Sequence, residues 1–156
     1  MKATAIDIRQ YFSPLLHVRP WRAKLGYGSF LTFEFGPRVK VNGHVHGEWH
    51  LWIYLSQWSL LRGNRKLADS DSDRRVIAAS VRRLQGVPLS EVLFEQEHEK
   101  TTFVFDDFRL VVSPADYLDG TDDRDHYWLL YMPNHQVLTA GPAGIRVGPS
   151  DVPDHA

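Results

Sequence analysis

Four residues able to do chemistry stand at alternate positions in the stretch His44-Val45-His46-Gly47-Glu48-Trp49-His50. On an extended chain, side chains two apart project from the same side, so His44, His46, Glu48 and His50 would share a face. Imidazoles at i and i+2 can chelate one divalent ion, and a carboxylate beside them can be a third ligand or a base. The bland interpretation is a polar strand end whose histidines face water next to a glycine turn. The spacing lacks the helical His-Glu-x-x-His geometry and the Glu that follows the His-x-His pair of cupin-type sites, and no second ligand pair follows downstream. A divalent-metal-binding protein or a metal-dependent enzyme using these four residues is therefore the alternative, not the leading reading.

Other clusters carry less. Asp116, Asp119, Asp122, Asp123 and Asp125 crowd one loop, but their offsets do not reproduce a calcium loop. A solvated acidic loop, able to meet a basic partner, is the better account. Arg74, Arg75, Arg82 and Arg83 could contact phosphate, yet the helix carrying them begins among aspartates that would repel a nucleic-acid backbone. No serine sits in Gly-x-Ser-x-Gly. Gly26-Tyr27-Gly28 precedes a strand, not the helix a phosphate loop requires. Glu34 and Glu48 could pair across neighbouring strands, but surface strand positions commonly carry Glu.

The 19 aromatic residues say more. Sheet interiors favour them, so most belong to a core. Trp49 and Trp52 differ in parity, so one unbroken strand cannot bury both on one face. At least one aromatic face must meet a helix, a second layer or another molecule, and Trp52 and Tyr54 are the candidate interface residues.

The elements that would position these groups follow from periodicity. Thr4 to Leu16 suits a short opening helix ended or bent by Pro14. Ser29 to Phe35 alternates as a strand, and Gly36-Pro37 breaks it. A second strand runs from His46 to Leu55, Trp58 and Leu60 continue its pattern, and Arg62-Gly63-Asn64-Arg65 suits a hairpin turn. Aspartates at 69, 71 and 73 cap a helix from Asp73 to Leu84, with Ile77, Val81 and Leu84 on its buried side. Strands over Leu89–Glu97, Thr101–Asp106, Phe108–Ser113, His126–Met132 and Gln136–Thr139 follow. The expected fold is α+β: one curved, mostly antiparallel sheet of about seven to nine strands against one central helix. Residues 1–140 form its single domain, and 141–156 a loosely held tail.

Composition bounds the function. A chain of 156 residues can bury a core unaided, and without cysteine it has no thiolate nucleophile and no Cys-ligated metal. The 18 basic against 19 acidic side chains argue against nucleic acid as partner. The N-terminus shows no signal-peptide core, and no apolar run reaches the roughly 20 residues a bilayer needs, so the cytoplasm is the default compartment and no membrane partner is expected.

The phrases Gly28-Ser29-Phe30-Leu31-Thr32-Phe33-Glu34-Phe35-Gly36 and Gly47-Glu48-Trp49-His50-Leu51-Trp52-Ile53-Tyr54, then Trp58, resemble a group of small bacterial proteins of unknown function. The helix ending at Leu84-Gln85-Gly86 and the Asp106-to-Leu110 hairpin fit the same layout, over residues 26 to 132. The resemblance rests on structural phrases. Proteins of this look occur among immunity-type and other interaction domains, which implies a binding role and no site residues. The leading expectation is a non-enzymatic binding domain without cofactor, meeting a protein partner or a second copy as a homodimer. A small-molecule pocket between helix and sheet is the further alternative.

Overall fold

Leu51 and Ile53 reach the core from odd positions, whereas Trp58 and Leu60 reach it from even ones. The parity switches across Tyr54-Leu55, where the chain leaves one sheet and enters another. The computed structural model describes residues 7–115 and 125–150. In order it contains α1 (Ile8–Phe12), β1 (Arg22–Leu25), β2 (Leu31–Val41), β3 (His44–Ile53), β4 (Ser56–Arg62), β5 (Arg65–Asp69) and α2 (Arg74–Arg82). After α2 come β6 (Glu91–Glu95), β7 (Lys100–Phe105), β8 (Phe108–Pro114), β9 (Trp128–Met132), β10 (Gln136–Gly141) and β11 (Gly144–Pro149).

The strands form two antiparallel sheets, a six-stranded one ordered β1-β2-β3-β9-β10-β11 and a five-stranded one ordered β5-β4-β8-β7-β6. The expected single curved sheet under one central helix is therefore wrong. Trp58 and Leu60 do not continue β3; they belong to the next strand, and the inward parity has already changed when the chain reaches them. With apolar faces on two sheets, the stable solution is to bury each against the other. Phe33 of the first stacks on Phe105 of the second, with centroids 5.5 Å apart.

The helices sit at the margins. Asp7 caps α1, accepting a hydrogen bond from the Arg9 amide. Phe12 of α1 inserts edge-on between Phe103 and Trp128, at 5.7 and 5.6 Å. Asp73 caps α2, which buries Ile77 and Val81 and packs against β1 and β5, the edge strands of the two sheets. Its C-terminal extension covers the β1 edge, where Gln85 Oε1 accepts from the Ala23 amide at 3.2 Å.

Of the boundaries that differ from the sequence pattern, two change the six-stranded sheet most. Gly36-Pro37 does not end β2; the strand continues to Val41 through a bulge in which its register against β3 shifts between Phe35 and Arg38. Gly36 takes φ +77° there, a left-handed conformation that glycine adopts without strain. Within the stretch assigned to a tail, Gly144–Pro149 pairs along β10 as the sixth strand of its sheet. Residues 116–124, with all of the acidic loop except Asp125, lie outside the described residues.

Candidate metal centre

Register brings the site together. Glu34 of β2 stands directly opposite His50 of β3, and His46 lies further along β3, four residues before His50. All three project from the face of the six-stranded sheet that points away from the other sheet. They are nonetheless buried, with 1%, 4% and 6% exposure for Glu34, His50 and His46. Part of the cover is Arg22, which reaches from β1 and donates through Nη2 to the Val45 carbonyl at 2.7 Å. Its guanidinium lies over the ring of Trp21, 5.1 Å from the centroid.

Both carboxylate oxygens of Glu34 are engaged. The Gly47 amide donates to Oε1 at 2.8 Å, and Oε2 meets His50 Nδ1 at 2.6 Å. The Arg22 guanidinium stands 4.0 Å from Oε2, close enough for charge attraction but not for a hydrogen bond. Burial alone would push the Glu34 carboxyl up. The hydrogen bond and charge of His50, the Gly47 amide and the charge of His46 outweigh it and hold the group below its ordinary 4.5. Glu34 is thus an anion at neutral pH. An ionised carboxylate only accepts hydrogen bonds, so the hydrogen of the short contact sits on Nδ1. On a neutral ring, that tautomer leaves the lone pair on Nε2.

His50 Nε2 is buried and has no hydrogen-bond partner among the described residues. Leaving such an atom unsatisfied costs about 1–3 kcal/mol. Beside it, the His46 ring meets the His50 ring edge-on, centroids 5.4 Å apart and planes at 88°. Two imidazoles bound at about 2.0–2.1 Å to one tetrahedral ion have centroids roughly 5 Å apart. The two rings therefore already stand near the spacing a shared ion requires. One donor atom each from Glu34, His46 and His50 lies within 4.8 Å of the others.

A cavity of about 430 Å³ opens beside these groups. His46 and His50 line it together with Val39, Val41, Tyr131, Met132 and the turn over residues 133–135. The Tyr131 phenol is pushed up to about 12, by burial first and by Tyr54 second, and stays protonated at neutral pH.

Of the four histidine-cluster residues, the fold brings His46 and His50 together. His44 is exposed, its ring 6.4 Å from that of His46, and Glu48 is exposed where it lines the cavity. The carboxylate that joins the histidines is Glu34, which the sequence offered as a surface strand residue or as a partner of Glu48 across neighbouring strands, not as a ligand beside the histidines. Its signal was the shared parity of Thr32 and Glu34 opposite the core-facing Leu31, Phe33 and Phe35, but finding it needed the β2–β3 register. Trp52 and Tyr54, the candidate interface residues, are half-buried and pack on each other at 4.4 Å and on Phe30 at 6.1 and 4.6 Å.

The fold and site define the class: a two-sheet α+β domain with a buried Glu–His–His group facing a cavity. Compared with known proteins, the chain matches no family model, no curated protein and no solved structure. No helix among the described residues is long and apolar enough to cross a membrane.

Proposed function

We propose that this protein binds a divalent transition-metal ion through His50 Nε2 and the His46 ring, with Glu34 orienting His50 from behind. The observation that carries this is a buried Nε2, without a hydrogen-bond partner among the described residues, on a histidine whose other nitrogen is fixed by a carboxylate. That is the arrangement in which a metal-ligating histidine is set in its tautomer and made more basic. Nitrogen donors without thiolate suit zinc, cobalt, nickel or copper better than the hard cations calcium and magnesium, which prefer oxygen. Two protein ligands leave coordination positions toward the cavity, where solvent or a small ligand completes the shell.

Elemental analysis of untagged protein, equilibrated with zinc and desalted, tests the reading. About one equivalent retained by the wild type and lost in His50→Ala is the expected result. Retention unchanged by His50→Ala would overturn it.

A further inference from the structure

A groove of about 640 Å³, with Arg22 in its lining, runs between edge strand β1 and helix α2. Five cations line it: Arg22, Lys24, Arg74, Arg75 and Arg82. Among the described residues, no carboxylate does. Several cations elsewhere on the surface are paired instead: Arg9 with Asp7, Arg62 with Asp107, Lys66 with Asp69 and Lys100 with Glu95. In the groove, Arg74 is held by the carbonyls of Gly26 and Gly28, and Arg22 by that of Val45 and by the charge of Glu34 at 4.0 Å. The side chains of Lys24, Arg75 and Arg82 make no hydrogen bond or ion pair among the described residues. Alanines 23, 78 and 79 also line the groove, and their small side chains leave room between the charges.

We infer that this groove receives an extended acidic segment of a protein partner. Arg74 and Arg82 stand eight residues apart along α2, about 12 Å, and of the five N–H donors of Arg74 those not given to Gly26 and Gly28 remain for a carboxylate. Carboxylates four residues apart on one side of an extended peptide are separated by roughly 13 Å. A guanidinium meets a carboxylate through two parallel hydrogen bonds, which gives register as well as attraction. Nucleic acid fits less well. No aromatic side chain among the described residues lines the groove to stack a base.

The test uses the whole chain and a fluorescein-labelled peptide of alternating Asp and Ser, read by anisotropy at low and high ionic strength. The comparison probes are the Asn-Ser analogue and a single-stranded DNA of equal length. The acidic peptide should bind, weaken with salt, and lose roughly tenfold in affinity with Arg82→Glu while changing little with Arg65→Glu outside the groove. Arg82→Gln should show a smaller loss in the same direction, which guards against a folding defect in the charge reversal. His46→Ala should leave peptide binding unchanged, so a failure of the groove to bind peptide is distinguishable from a failure of the histidines to bind metal. Equal losses from Arg65→Glu and Arg82→Glu, binding no tighter than the Asn-Ser analogue, or tighter binding of DNA would each overturn the inference.

Discussion

Gly47 is where packing and site depend on the same residue. A Cβ built there would lie 2.3 Å from the Phe35 carbonyl oxygen, 2.6 Å from the Phe35 nitrogen and 2.8 Å from the Trp49 oxygen. All three are backbone atoms, so no side-chain rotation relieves the clash; the bulge between β2 and β3 must move. Overpacking of this kind costs about 1–3 kcal/mol. The movement also disturbs the Gly47 amide that holds Glu34 Oε1, a bond to a charged group worth about 1.5–3 kcal/mol. Gly47→Ala should therefore lose about 3–5 kcal/mol, a large share of a domain's typical 5–15. In urea, with a slope near 2 kcal/mol per molar, the midpoint should fall by roughly 2 M. The control is Gly43→Ala, at φ +83° with no atom within 4 Å of its Cβ; it carries only the left-handed penalty of about 1–2 kcal/mol. Equal midpoints for the two variants would refute the reasoning, because the bulge would then yield freely.

Other expectations are briefer. Phe105→Ala, which removes the ring stacked on Phe33 between the sheets, should cost about 3–5 kcal/mol by urea denaturation. Because the folded Glu34 carboxyl is held below its ordinary 4.5, its stabilising share is complete above that value and is lost as pH falls through the folded value. In metal-free buffer the stability gap between wild type and Glu34→Gln should accordingly narrow on acidification, and a gap that widens would contradict the assignment. The same substitution should weaken zinc binding about 10- to 100-fold without abolishing it, since Glu34 acts through His50. Loss as complete as in His50→Ala would instead make Glu34 a direct ligand.

Most strands were legible because large apolar groups alternate strongly: β7, β8 and β9 lie where Phe103, Leu110 and Leu130 placed them. Helix α2 was legible from its aspartate cap and the Ile77–Val81 spacing. The division into two sheets was written in the parity change between Ile53 and Trp58, and unbroken alternation was read over it. Edge strand β1 carries one core residue, Ala23, too small to mark a pattern. The site was half legible. His46 and His50 show their common face locally, whereas Glu34 joins them through a cross-strand pairing 16 residues away that period-two reading cannot supply. Its burial depends on Arg22 from a third strand. The same holds for the basic groove, in which Lys24 joins the helix arginines only once β1 lies beside α2.

The most direct measurement of the central claim is calorimetric titration of metal-stripped, untagged protein with zinc, alongside the His46→Ala and His50→Ala variants. One site per chain in the wild type, with heat lost in both variants while their folded circular-dichroism spectra persist, is the predicted result. Zinc binding of equal strength in all three proteins, or none in the wild type, would show that Glu34, His46 and His50 form a buried polar cluster that holds no ion.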